Sequence, residues 1–347
     1  MKIHEKYMMR CIQLAKNGLG TTYPNPLVGC VIVYKDHIIG EGWHERAGQP
    51  HAEVNAINHV KKSSLLKEAT LYVNLEPCSH FGKTPPCSHL IIEKGIKKVV
   101  IGCTDPNPKV AGRGIEKLKN AGCEVIVHVL RKECEALNKR FFTFQLKKRP
   151  YIFLKWAQSQ DGFIAPKSKD TQQPFWITNE FSRQLVHKMR AEEEAILVGT
   201  QTVLDDNPSL TTRDWEGSNA VRVVLDRKLR TPKHFHVFNS MATTIVITEK
   251  HMESNDLLIF ETIDFSQNLP QQICEVLYAH SLQSVIVEGG AKTLQTFIDV
   301  GLWDEAFVFK GPSFLNEGIK APLLNGELLS ESKLWDDTLF HFKNNAH

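Results

Sequence analysis

The chain has 347 residues, 42% apolar and 23% charged, with a formal net charge of +3 and an isoelectric point near 8.3. That length accommodates two domains, and the composition is that of an ordinary soluble globular protein. The mild positive charge suits an anionic small substrate and falls short of the basic footprint of a nucleic-acid binder. No charged-then-apolar leader opens the chain, and no apolar run approaches the roughly 20 residues of a membrane span, so a cytoplasmic protein with no membrane partner is expected.

Residues 4–17 place Met8, Cys11, Ile12 and Leu14 at helical spacing, and Gly18 and Gly20 stop that helix. Tyr23-Pro24-Asn25-Pro26 reads as a turn and residues 27–34 as a strand. Lys35-Asp36 turns the chain into a second strand over 37–42. A helix over about 51–62 directs Val54, Ile57 and Val60 inward, and 71–75 is a strand that delivers Cys78 at its end. Pro85-Pro86 opens another helix, stopped by Gly95. A strand at 99–102, a helix at 114–121 and a strand at 124–129 follow. Strands alternating with helices imply an α/β domain with helices on the sheet faces.

A helix over 137–146 then runs into Lys147-Lys148-Arg149-Pro150. We read 147–150 as a linker between a domain at 1–146 and one at 151–347; a solvated helix end fits the same junction equally well. The pattern restarts with a strand at 151–157 and a helix at 180–190. Further strands are expected at 195–199, 221–225, 243–248 and 284–288. Residues 313–347 carry no recognisable chemistry.

The stretch from His51 to Cys87 carries the sharpest signal. His51, Cys78 and Cys87 supply one imidazole and two thiolates, a ligand set for Zn²⁺ that leaves a fourth position for water, as catalytic zinc sites do. Such a zinc would lower the pKa of its water from 15.7 to about 7. Glu53, two residues after His51, is the natural general acid/base for that water. Cys87 falls at a helix start, where backbone N–H groups favour a thiolate. H-x-E followed by P-C-x-x-C is the zinc-deaminase pattern, although here eight residues rather than two separate the cysteines. The competing reading is a structural zinc knot with His80 or His89 as fourth ligand, which would leave Glu53 without a purpose. His80 could instead face the substrate, and His59 reads as structural. The other six cysteines (11, 30, 103, 123, 134 and 274) are not paired at ligand spacing and read as buried thiols.

The long insert His80-Phe81-Gly82-Lys83-Thr84-Pro85-Pro86 resembles the deaminase half of the bifunctional riboflavin-biosynthesis deaminase/reductases, with Lys83 where that family usually has arginine. Pro24-Asn25-Pro26, Gly42-Trp43-His44, Ala47-Gly48-x-Pro50-His51-Ala52-Glu53 and Asp105-Pro106-Asn107-Pro108 extend the likeness. It implies that Asn25, His44 and Asn107 line a pyrimidine pocket.

The second half resembles the reductase half of the same family. The likeness is carried by Lys155-x-Ala157-x-Ser159-x-Asp161-Gly162, Trp176-Ile177-Thr178, Arg190-Ala191, Thr202-Val203-Leu204, Leu210-Thr211-x-Arg213 and Glu288-Gly289-Gly290 in that order. It implies a cytidine-deaminase-like three-layer α/β/α domain followed by a dihydrofolate-reductase-like α/β domain. It further implies that Ala157, Trp176, Thr202, Asp206, Gly290, Ala291, Lys292, Thr293, Leu294, Gln295 and Thr296 hold NADPH. Arg190, Leu210, Arg213 and Glu288 would touch the ribose phosphate. Physically, glycines between a strand and a helix let backbone approach a phosphate at the helix N-terminus, and arginine suits bidentate phosphate contact. The spacing is not G-x-G-x-x-G, so no Rossmann domain is indicated. The chain departs from the family at Asp205 and Asn207, and at Gln173-Pro174, where a serine is common.

The expectation is therefore a two-step enzyme. Zinc-dependent hydrolysis would remove an amino group from a phosphoribosylaminopyrimidine, and NADPH would then reduce the ribose to a ribityl chain. The substrates are small molecules, no nucleic acid is involved, and a homo-oligomer is expected. Three rivals stand beside it: a nucleic-acid base deaminase with an appended binding domain, a non-catalytic zinc scaffold, and a deaminase with a silent second domain.

Overall fold

Strands that are apolar at every position need cover on both faces, and each half of the chain provides it. The computed structural model describes residues 2–79, 85–107, 111–168, 172 and 175–345. The chain divides into two units, Met1–Lys148 and Arg149–His347.

The first unit runs α1 (Ile3–Ala15), β1 (Gly29–Tyr34), β2 (His37–Trp43), α2 (Ala52–Asn58), β3 (Thr70–Leu75), α3 (Cys87–Glu93), β4 (Lys98–Cys103), α4 (Arg113–Asn120), β5 (Glu124–Ile126), α5 (Arg131–Leu137) and α6 (Lys139–Lys147). Its sheet has the order β2-β1-β3-β4-β5. β1 is antiparallel to both neighbours, and β3, β4 and β5 are parallel. Alternate residues of each strand feed two cores. Cys30, Ile32, Leu71, Val73, Val99 and Ile101 pack with Ala56, Ile91 and Leu118 of α2, α3 and α4. Val31, Tyr72 and Val100 pack on the other face with Met8, Ile12 and Cys134 of α1 and α5. The layering is α/β/α, as expected.

Two boundaries differ from the sequence reading. The helix after His51 ends at Asn58 rather than near residue 62, where His59 at its C-cap is held on the carbonyl of Glu41. The helix expected at 137–146 spans Lys139–Lys147, and a separate helix, Arg131–Leu137, precedes it across Asn138. The Asn138 side chain is buried because it pairs with both backbone groups of Leu27, taking the N–H on Oδ1 and giving Nδ2 to the carbonyl. The six cysteines outside the metal motif are buried and unpaired.

The second unit runs β6 (Tyr151–Gln158), β7 (Phe163–Ala165), α7 (Glu180–Glu192), β8 (Ala195–Gly199), α8 (Thr200–Asp206), β9 (Val221–Leu225), β10 (Thr244–Thr248), β11 (Leu258–Thr262), α9 (Leu269–Ala279), β12 (Ser284–Val287), α10 (Ala291–Asp299), β13 (Glu305–Lys310), β14 (Ile319–Lys320), β15 (Glu327–Leu334) and β16 (Asp337–Lys343). The nine-stranded sheet has the order β11-β10-β9-β8-β12-β6-β13-β16-β15. It is parallel from β11 to β13 and antiparallel through β16 and β15. Ile152, Leu154, Val285 and Val287 face α9 and α10; Tyr151, Phe153, Ile196 and Ile286 face α7. The segment after residue 313, which offered no motif, forms β14, β15 and β16. β15 is exposed along its length except for half-buried Leu334, so it lacks the alternation that marks a half-buried strand.

Arg149, inside the junction expected to be a linker, is anchored rather than solvated. Its guanidinium makes a bidentate pair with Asp304 at 2.6 and 2.8 Å, both side chains are buried, and Asp304 also takes the Ile152 N–H. Breaking a buried pair leaves an uncompensated charge. Arg149→Ala is expected to lower the unfolding free energy of the second unit by about 3–5 kcal/mol. Urea unfolding followed by tryptophan fluorescence reads this unit, since every tryptophan but Trp43 lies in it; a change below about 1 kcal/mol would refute the anchoring role.

Candidate active sites

In the first unit three ligand-type atoms converge where β3 ends. His51 is the N-cap of α2, Cys78 follows β3, and Cys87 is the first residue of α3. The ligand atoms all lie within 4.8 Å of one another. His51 Nδ1 is 3.7 Å from the Cys78 sulfur and 3.3 Å from the Cys87 sulfur. Tetrahedral zinc with ordinary Zn–S and Zn–N bonds places neighbouring ligand atoms about 3.6–3.8 Å apart, so donor types and spacing both fit this metal. The Cys87 N–H donates to the Cys78 sulfur at 3.2 Å. Hydrogen bonding with Cys87 holds the Cys78 sulfur down to about 4, whereas the same contact and burial push Cys87 up. Among the described residues no fourth side chain joins the cluster, His89 included. His80 and Lys83 lie outside the described residues.

Glu53 is 3% exposed and stands beside the cluster without belonging to it. Burial raises its carboxyl pKa, and the Cys78 sulfur adds to the effect. Beside His51 the chain brings together two residues that are distant in sequence. Asn25 Nδ2 donates to His44 Nε2 at 3.0 Å, and His44 Nδ1 bonds the Pro50 carbonyl at 3.1 Å. One ring nitrogen therefore accepts and the other donates, so His44 is neutral; burial holds its pKa down. The His44 ring meets the His51 ring edge-on at 5.4 Å. Asn107 sits on the loop after β4, and its N–H bonds Asp105 Oδ1 at 2.8 Å. Leu75 and Cys103 are paired in register at the ends of parallel strands, so that loop and the Cys78 turn leave the same sheet edge.

In the second unit the expected residues collect at the C-terminal ends of β6, β8 and β12, the usual ligand edge of a parallel α/β sheet. Gly289 lies so close to β8 that a Cβ would stand 2.8 Å from Val198 Cα. Gly290, at φ +50°, is the N-cap of α10, and a Cβ there would come 3.3 Å from the Thr202 hydroxyl. A Cβ on Gly199 would be 2.6 Å from the Thr293 hydroxyl. Bare backbone, a helix N-terminus and two threonines thus make a cradle that fits a phosphate group of a dinucleotide. Ala157 is near the end of β6, and Asp206 ends α8.

The other expected cofactor residues are less uniform. Trp176 is exposed under the Arg183 guanidinium, 4.6 Å from the ring centre. Leu294 is buried in the core, Gln295 bonds Asp299 and the Leu323 N–H, and Thr296 bonds the Lys292 carbonyl. Asn207, one departure from the family pattern, is the left-handed C-cap of α8, a position asparagine tolerates well. Gln173 and Pro174 lie outside the described residues.

Glu288 is gripped by Lys155 at 2.7 Å and Arg190 at 2.8 Å. Burial alone would raise its pKa; the two cations overcome that and hold it at about 2. Arg190 also donates to the Thr211 carbonyl, while its Nε is buried with no partner among the described residues. Leu210, at φ +56°, keeps its side chain in the core and turns the chain so that Thr211 faces Arg190. Arg213 reaches the Thr211 hydroxyl, and its N–H donates to His187. Burial and the neighbouring Arg190 lower His187 to about 4, so it accepts that N–H as a neutral ring. Sequence reasoning quoted Lys155 without a role and passed over His187; only the contacts of β6 and α7 with Glu288 and Arg213 expose them.

Residues 1–103 match the cytidine and deoxycytidylate deaminase zinc-binding region, and residues 150–346 match the RibD C-terminal domain. The riboflavin biosynthesis protein RibD of Aquifex aeolicus is 42% identical over 341 residues, covering 95% of this chain and 93% of its own. That of Escherichia coli is 38% identical over 366 residues, covering 99% and 96%. Among solved structures, a diaminohydroxyphosphoribosylaminopyrimidine deaminase/5-amino-6-(5-phosphoribosylamino)uracil reductase from Thermotoga maritima is 42% identical. It superposes with a TM-score of 0.89 over 99% of both chains. Acinetobacter baumannii RibD gives 0.90 at 36% identity over 98% of both.

The Glu288 triad gives a pH signature. A carboxyl whose folded pKa lies below its unfolded value stabilises fully above the unfolded value, about 4.3 for glutamate. That stability is lost as pH falls through about 2. The stability gap between the native protein and Glu288→Gln should therefore be flat above pH ~5 and shrink steadily between pH ~4.3 and ~2. Chemical denaturation across that range measures it, and a gap independent of pH would contradict the assigned ion pairing.

Proposed function

The chain belongs to the RibD family of bifunctional riboflavin-biosynthesis enzymes, and from that premise we propose which of its residues carry each reaction. It is a zinc-dependent deaminase and an NADPH-dependent reductase in one chain. Its first reaction hydrolyses an amino group from 2,5-diamino-6-(5-phosphoribosylamino)pyrimidin-4-one. Its second reduces the ribose of 5-amino-6-(5-phosphoribosylamino)uracil to a ribityl chain. We assign deamination to the first unit and reduction to the second.

In this reading His51, Cys78 and Cys87 hold zinc. The observation that carries it is their convergence at zinc-ligand spacing beside the buried Glu53. Bound zinc supplies Lewis acidity that makes water a nucleophile near neutral pH. Glu53 collects the proton of the attacking water for the ring nitrogen and then passes the proton of the new hydroxyl to the leaving amine, which departs as ammonia. Its raised pKa suits a group that must carry a proton in both directions. Asn25 orients neutral His44, and these two with Asn107 hold the pyrimidine ring.

For the reduction, bound NADPH supplies the hydride. The Gly290 turn with Ala291, Lys292 and Thr293 holds its phosphates, and Thr202, Asp206, Ala157 and Trp176 flank it. Leu294, Gln295 and Thr296 contribute by fixing α10. Arg190, Arg213, Glu288 and the backbone at Leu210 seat the ribose phosphate, with Lys155 fixing the Glu288 carboxylate. A homo-oligomer is supported by the exposed edge strand β15, with Leu328 and Leu329 open to solvent. Among the described residues no helix is long and apolar enough to cross a membrane, and eight unpaired cysteines suit the reducing cytoplasm.

Because the two sites share no residue, their losses should separate. Glu53→Ala should retain zinc and lower ammonia release by about 10²–10⁴-fold, while NADPH oxidation on the deaminated intermediate stays at the native rate. Cys78→Ser should lose zinc and deamination together. The assignment fails if a folded, zinc-loaded Glu53→Ala enzyme deaminates at the native rate.

A further inference from the structure

Four backbone N–H groups converge on one side chain that the chemistry above does not use. Glu76 is 4% exposed and lies between β3 and Cys78. Its Oε1 accepts from Gly114 at 2.9 Å and Ile115 at 3.3 Å; its Oε2 accepts from Gly112 at 2.9 Å and Asp105 at 3.2 Å. Its own N–H donates to the Cys103 carbonyl at 2.9 Å. The first two bonds do the work of a helix cap. The N-cap of α4 is Gly112, which has no side chain to offer, so the free N–H groups of that helix start turn to a carboxylate from another element. A cap needs only Oε1. Oε2 is spent on Asp105 and Gly112, the two flanks of the loop that carries Asn107.

The same stretch is pressed against the turn that delivers a metal ligand. A Cβ on Gly114 would lie 2.1 Å from the Pro77 carbonyl, so the α4 start and the Pro77-Cys78 turn touch backbone to backbone. Asp105 also takes the Asn107 N–H, passing the constraint on to Asn107. We propose that Glu76 is a positioning residue of the deaminase. It locks the Asn107 loop to the Cys78 turn, so that the loop's substrate contacts keep a fixed distance from the metal ligands. The proposal rests on the reading of Asn107 as a substrate residue.

Zinc-loaded, full-length enzyme tests it. Glu76→Gln offers one acceptor oxygen where four donors converge and turns an NH₂ group toward the rest. The expected result is a KM for the diaminopyrimidine raised about tenfold with kcat little changed, the mark of lost ground-state positioning. Reduction of the deaminated intermediate should be unaltered. A merely structural role would reduce the folded fraction and hence kcat per chain, leaving KM native. Gly114→Ala keeps all four hydrogen-bond partners but forces the start of α4 off the Pro77 carbonyl, and should raise KM in the same way.

Native KM in both variants overturns the proposal. Should neither variant fold, amide exchange on the native enzyme decides. Asp105 and Gly112 protected as strongly as β3 support the clamp, and exchange at loop rates overturns it. Asn107→Ala separates the two readings. Native KM there removes the role of Asn107 and the proposal with it. A raised KM there beside a native KM in Glu76→Gln overturns the proposal alone.

Discussion

Two sulfurs and a ring nitrogen do not gather unless the backbone forces them to, because thiolates in close contact repel. The first unit forces it by starting two helices at the end of one strand. β3 ends at Leu75, α2 starts just after His51, and α3 starts at Cys87. Each helix start presents N–H groups that favour negative sulfur, and the Cys87 N–H is spent directly on Cys78. Glu53 follows from the same arrangement, since one residue into α2 the chain already turns the carboxyl into the buried layer. The candidate metal site is thus a consequence of where elements begin and end.

The second unit solves a different electrostatic problem. A carboxylate as enclosed as Glu288 would be driven toward its neutral form; Lys155 and Arg190 offset that cost. The three residues come from β6, α7 and the turn after β12, so their mutual attraction also ties three elements together beside the glycine turn. Arg190 is in turn braced by Thr211, whose direction depends on the left-handed residue before it. Charge and backbone geometry are therefore coupled at this edge of the sheet.

Much of the molecule was legible in the chain itself. Strand and helix periodicity located nearly every element of the first unit, and His51, Glu53, Cys78 and Cys87 stood out because zinc chemistry tolerates few residue types. The features that no local pattern shows are of two kinds, distant partners and strands without a buried face. The break at Asn138 arises from a polar side chain satisfying Leu27, 111 residues away, which no local window contains. The Arg149 anchor depends on Asp304, 155 residues on. β15 has no buried face, so its pattern carries no period.

The sequence by itself determined which atoms could bind zinc, which carboxyl could move a proton, and which glycines allow a backbone to approach a phosphate. Those are properties of residue type and short spacing, and they survive without a fold. Only the tertiary structure decided that Glu288 is a paired anion, that burial holds the His44 pKa down while Asn25 and Pro50 orient its ring, and that Glu76 gathers four N–H groups. Burial and partners across strands set protonation and orientation, and both are created by packing elements that the chain order keeps far apart.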